Sequence, residues 1–142
     1  MARIGRGETP RTVALTIGVV FLAVGLLGLI LNPTGGWLLS TFRVDLVHNL
    51  LHLVVGVAGL GAWFLGVVES RMFNKVLGAV YLILGVVGFI PPLFDNYGQL
   101  LGIVHINNAD NFLHLVVGAI AAYFGFSPEY RPGAARRILG RG

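Results

Sequence analysis

No cysteine occurs among the 142 residues, so disulfides, thiolate metal sites and a catalytic thiol are excluded. Charge is nearly as scarce. Asp, Glu, Lys and Arg together make up 11% of the chain, where a soluble domain carries about 25%. Too few polar groups remain to cover a globule against water, so lipid must solvate much of the surface. Catalytic motifs are missing as well: there is no nucleophile-elbow sequence, phosphate loop, zinc-protease motif or c-type haem attachment sequence. The net charge of +4 and a pI near 10.1 invite a nucleic-acid reading. Against it, the basic residues are not interleaved with aromatics and belong to no recognisable nucleic-acid fold.

What is present is apolar length, with 56% hydrophobic residues and a mean hydropathy of +0.82. Residues 12–31 ("TVALTIGVVFLAVGLLGLIL") run for 20 residues without a charge. Such a run makes about 30 Å of helix, enough to cross a bilayer core. Further segments cover about 46–68, 76–90 and 110–126, the last two ending at Pro91-Pro92 and before Pro128. These two are shorter and span with help from flanking residues or a thinned bilayer. Arg3, Arg6 and Arg11 precede the first segment, as they would in a signal peptide. Its length and the lack of a small-x-small site favour a retained helix. The expectation is an all-α, polytopic membrane protein of one domain, residues 1–142, in which 127–142 is a basic tail.

The cations predict orientation. With four spans, both termini and a loop at 69–75 share one side, which carries Arg3, Arg6, Arg11, Arg71, Lys75, Arg131, Arg136, Arg137 and Arg141. The other side, residues 32–45 and 91–109, holds Arg43 alone. This bias predicts a multi-pass protein of the inner (cell) membrane with cytoplasmic termini. The tail "RPGAARRILGRG" then lies against an anionic leaflet, at about 1 kcal/mol of attraction per cation. The partner expected is therefore the bilayer itself, not nucleic acid.

The chain also resembles itself. "NLLHLVVG" at 49–56 returns as "NFLHLVVG" at 111–118, and "FLAVGLLGLI" at 21–30 matches "YLILGVVGFI" at 81–90. The offsets are 62 and 60 residues, which places a two-residue difference in the external segments. Each repeat holds two spans, so the repeats share one orientation. The expected architecture is two tandem α-hairpins related by a pseudo-two-fold axis along the membrane normal.

Helical periodicity says where the repeated motif points. Asp45, His48, Asn49, His52, Gly56 and Gly59 fall within about 40° of one line on the second helix. The matching line on the fourth is Asn107, Asp110, Asn111, His114, Gly118 and Ala121. Small residues at this spacing mark faces that meet other helices, so the polar groups point into the bundle. Gly18, Phe21, Gly25 and Gly28 on the first helix, and Gly78, Tyr81, Gly85 and Gly88 on the third, form the complementary faces. Asp45 and Asn107 occupy equivalent positions and are both good N-caps. Asp110 is well placed at the positive end of a helix dipole. His52 and His114 follow the caps by seven residues, about 10 Å down the axis, a depth at which ionisable groups are functional candidates.

These letters resemble a family. "HNLLHLVVGVAGL" and "INNADNFLHLVVG" are similar to a family of small bacterial four-helix membrane proteins known as domain of unknown function 4383. The likeness runs from the first span to about Phe126. Its most specific elements are His48-Asn49-x-x-His52-Leu53 and Asn108-Ala109-Asp110-Asn111-x-x-His114-Leu115. It implies an integral membrane protein of bacterial type and carries no activity across.

Three roles compete for the polar line. The plainest is a brace, in which Asp45, His48, Asn49, His52, Asn107, Asp110, Asn111 and His114 hydrogen-bond across helices at about 0.6–2 kcal/mol per contact. The sharper one is a ligand site. Helices 2 and 4 would be diagonal neighbours roughly 11–14 Å apart, given the usual 8–10 Å between adjacent helices. His48, His52, Asp110 and His114 would then converge on a metal ion such as zinc, or His52 and His114 on a haem iron. The third role is a proton or small-solute pathway, which the lack of an ionisable relay in the inner halves opposes. His105, on an external segment with Asp95, reads as an ordinary exposed histidine. The reading preferred is a non-catalytic accessory or binding protein with an outward-facing polar cluster between helices 2 and 4.

Overall fold

Pro10 opens the first helix. Its missing N–H costs nothing in a first turn, and α1 runs Thr9–Leu31. In the computed structural model, which describes residues 8–127, three further helices follow: α2 (Leu46–Leu65), α3 (Val67–Val87) and α4 (Asn108–Phe126). All four are long and apolar enough to cross a membrane. The protein is mostly helical. Arg3, Arg6 and the basic tail fall outside the described residues.

The segments between helices are more ordered than the expectation of an all-α chain. β1 (Gly36–Leu38) and β2 (Phe42–Val44) pair antiparallel, with Trp37 opposite Arg43. A 3₁₀ turn at Pro91–Leu93 leads to β3 (Gln99–Leu100) and β4 (Val104–His105), with Gln99 opposite His105. In each hairpin one leucine turns inward and the next turns out. Leu38 and Leu100 are each 3% exposed. Leu39 and Leu101 take left-handed backbone angles, φ 52° and 53°.

The third helix corrects the boundaries read from hydropathy. It begins at Val67 rather than 76, so residues 69–75 are its first turns and not a loop. Gly66 alone separates α2 from α3, and its φ of +136° is a conformation that suits only glycine. The apolar run was a poor guide because Glu69, Arg71 and Lys75 prolong the helix beyond it. The helix closes at Val87, where the Gly88 N–H returns to the Leu84 carbonyl.

Small residues set the packing. α1 lies tightly along α2 and α3 along α4, while α1–α3, α2–α3 and α1–α4 meet more loosely. A β-carbon at Gly18 would come within 2.8 Å of the Leu60 nitrogen, and one at Gly56 within 2.6 Å of Leu22. At Gly118 the obstacle would be the Leu82 nitrogen at 2.8 Å. In a bilayer no hydrophobic drive brings helices together, so this close fit and its dispersion contacts carry the association. Ile17, Phe21, Leu77, Tyr81 and Ala121 fill the centre. Ile83, Val86 and Val116 face outward, more than half exposed, as a lipid-solvated surface should be.

One end of the bundle is tied by side chains of α1 and α3. Ser70 Oγ donates to the Ala62 carbonyl at 3.0 Å, and Asn74 Nδ2 to the Pro10 carbonyl at 2.9 Å. Both side chains are fully buried. Arg11 donates to the Trp63 carbonyl and stacks over that indole, and Arg71 donates to the Ser127 carbonyl. The contacts of Ser70, Arg11 and Arg71 engage carbonyls at and near the C-terminal ends of α2 and α4, and that of Asn74 engages the first turn of α1.

Candidate functional site

At the opposite end, both caps form. Asp45 is extended (φ −137°), and its Oδ1 accepts the His48 N–H at 2.8 Å. Asn107 repeats the geometry (φ −134°), accepting the Asp110 N–H at 3.0 Å, while Asp110 Oδ2 accepts the Asn107 N–H at 2.9 Å. The second is a full capping box.

The carboxylates of Asp45 and Asp110 also reach across the bundle. Asp45 Oδ2 accepts from His105 twice, from its backbone N–H at 2.8 Å and from ring Nδ1 at 2.9 Å. Asp110 Oδ2 accepts the Arg43 N–H at 3.2 Å. Arg43 and His105 stand 62 residues apart, the same offset as the two histidine motifs. Each hairpin therefore serves the helix cap of the other half. His48 Nδ1 lies 3.1 Å from the Arg43 carbonyl and 2.9 Å from the His105 carbonyl. Two acceptors at that nitrogen assign its proton there. Asn107 Nδ2 adds a bond to the Thr41 carbonyl at 2.7 Å.

His105 is thus not the ordinary exposed histidine expected of an external segment. It is partly buried, and its Nε2 faces the Tyr97 carbonyl at 3.2 Å. Asp95 caps its own turn instead, accepting the Tyr97 and Gln99 N–H groups. Burial opposes the charge of Asp45. The His48 and His105 backbone donors and the His105 ring outweigh that cost and hold its carboxyl below the usual 3.8. Hydrophobic periodicity has no way to find His105, because its role depends on a strand pairing.

One turn deeper, Asn49 and Asn111 fill matching notches. Asn111 Nδ2 donates to the Gly88 carbonyl at 2.6 Å, and Asn49 Nδ2 to the Asn32 carbonyl at 3.4 Å. A β-carbon at Gly28 would land on the Asn49 amide, and one at Gly88 on that of Asn111.

His52 and His114 lie deeper again and do not meet. His52 packs edge-on against Phe21 (ring centres 5.1 Å apart), Phe21 against Tyr81 (5.5 Å), and Tyr81 against His114 (5.0 Å). His48 sits beside both, 4.4 Å from His52 and 6.3 Å from His114. Together with Tyr81, Leu100 and Ile106, the three histidines line a cavity of about 50 Å³. The Nδ1 atoms of His52 and His114 are buried with no hydrogen-bond partner.

This arrangement bears on the ligand readings. A haem between His52 and His114 does not fit, because the cavity they line is far smaller than a macrocycle. The four side chains considered for a metal are not gathered around one point either. Asp110 is engaged by two backbone N–H groups and His48 by two carbonyls. Among the described residues no three of His, Asp and Glu are placed to hold a metal ion. The apolar centre around Ile17 and Leu77 separates this cluster from Ser70 and Asn74 at the other end.

Comparison with known proteins identifies a family. The family described as domain of unknown function 4383 (DUF4383) matches residues 11–127. The chain belongs to this family. The DUF4383 match takes in both hairpins and nearly all of the four helices. No curated protein and no solved structure gives a significant match.

Proposed function

We propose that the protein is a non-catalytic accessory or binding protein of a bacterial inner (cell) membrane. Its termini are cytoplasmic, and its two tandem α-hairpins are related by a pseudo-two-fold axis along the membrane normal. The cation bias supports the orientation, since Arg11, Arg71 and Lys75 gather at one end and Arg43 stands alone at the other. The recurrence of caps, glycine notches and crossed hairpin contacts supports the tandem arrangement.

One observation carries the binding role. Among the described residues the Oδ1 atoms of Asn49, Asn74 and Asn111 and the Nδ1 atoms of His52 and His114 are buried without a partner, and the two histidines share one cavity. An unmade hydrogen bond of this kind costs about 1–3 kcal/mol. A bound small group that accepts or donates there recovers it.

The test is native mass spectrometry of mildly purified protein, alongside His52→Gln, His114→Gln and the double variant. The expected result is a small species bound to the wild type. It should be lost as fully in either single variant as in the double one, with helicity preserved. Additive losses of stability with no bound species in any form would reduce the cluster to a brace.

A further inference from the structure

A second, larger hollow lies beside the histidine cavity. It is a groove of about 390 Å³ on the α2–α3 seam, bounded by Val55, Ala58, Phe73, Val76, Leu77 and Tyr81. Its lining is entirely apolar. It extends from Tyr81 towards the Gly66 end of the bundle, over the depth of the membrane-spanning helices. Tyr81 is the one residue shared by the walls of the groove and of the histidine cavity. Tyr81 thus borders both the lipid-facing groove and the cavity of His52 and His114, whose Nδ1 atoms are buried without a partner.

We infer that the two hollows form one site for a neutral, single-chain lipid with a small oxygen-bearing end group, a hydroxyl or a carbonyl. The inference rests on the binding role proposed above for the histidine cavity. The groove takes the chain, because a lining without polar atoms suits an apolar tail and offers a polar one no partner. The cavity takes the end group. An imidazole offers one donor and one acceptor, so His52 and His114 complement a hydroxyl or carbonyl oxygen. Size and depth disfavour common phospholipids. About 50 Å³ suits a small end group better than a phosphate headgroup, and the histidines lie about 10 Å inside the helix ends, where a charge is costly. Entry is sideways from the bilayer, past Tyr81.

The experiment uses the full chain in phosphatidylcholine nanodiscs with two radiolabelled probes, 1-dodecanol and 2-tetradecanone, which separate hydroxyl from carbonyl recognition. Saturable binding of at least one probe near one per chain is expected. Dodecylphosphocholine, of like tail and with a charged head, should not compete. Ala58→Phe fills the groove from its exposed rim and should weaken binding at least tenfold without lowering the melting temperature. Val116→Phe, on the outer face of α4, should leave binding unchanged. Probe binding that is lost in His52→Gln but survives Ala58→Phe would overturn the groove while keeping the histidine site. A wild type that carries a water-soluble species on His52 and His114 and ignores both probes would overturn the lipid ligand alone. Absence of any bound species and of probe binding would remove both.

Discussion

Asp45 and His105 are 60 residues apart in the chain, and the carboxylate accepts both the backbone N–H and the ring of His105 at 2.8 and 2.9 Å. With the His48 N–H on its other oxygen, Asp45 joins a helix start, a strand of the other half and the chain between them. The reciprocal bond from Arg43 to Asp110 closes the exchange. The two hairpins are thereby fixed over the histidine cavity.

Asp45→Asn removes the charge and one acceptor oxygen while conserving shape. It is expected to destabilise the protein by about 1–3 kcal/mol, read as a lower melting temperature at neutral pH in detergent. The direction with pH follows from the depressed carboxyl. Its contribution is fully present above the ordinary value of 3.8 and is lost as pH falls through the lower folded value. Wild type should lose melting temperature on acidification below that point, and Asp45→Asn should lose less. Parallel acid limbs for the two proteins would contradict the role of the pair.

Glycine substitutions should divide by what stands opposite. A methyl at Gly28 or Gly88 falls on an asparagine amide, whereas nothing lies within 4 Å of one at Gly61. Gly28→Ala and Gly88→Ala are each expected to cost about 1–3 kcal/mol through overpacking. Gly61→Ala should gain up to about 1 kcal/mol from helix propensity. Thermal unfolding in one detergent ranks the three, and equal melting temperatures would contradict the notches.

The hairpin tips carry strain that can be relieved. Leu39 and Leu101 hold φ of 52° and 53° with 74% and 62% of their surface exposed. A left-handed backbone costs a side-chain-bearing residue about 1–2 kcal/mol. Leu39→Gly and Leu101→Gly should therefore raise stability slightly despite the lost leucine. A clear fall in melting temperature would mean that these side chains are anchored by something other than the chain itself.

Topology has a direct check. Reporter fusions after Gly142 and between residues 95 and 100 should report opposite sides of the membrane, with the first cytoplasmic. Activity of both on one side would contradict four crossings.

The sequence by itself determined whatever depends on one helix at a time. Residues 12–31 are legible as a span because twenty apolar residues have no alternative solvent. Asp45 and Asn107 are legible as caps because a cap acts on a backbone N–H three residues away. The line of His48, His52 and Gly56 is legible because 3.6-residue periodicity puts it on one face. Tertiary structure decided the rest. The start of α3 at Val67 hangs on one glycine reversing the chain at φ +136°, which hydropathy does not register. That Phe21 and Tyr81 link His52 to His114 by edge-on ring contacts depends on how near α1 and α3 approach each other. His105 became a partner of Asp45 only because two short hairpins, each unable to order alone, cross to the other half and satisfy its carboxylates. Contacts between segments sixty residues apart leave no periodic trace, because each side chain's partner is set by how helices and hairpins pack.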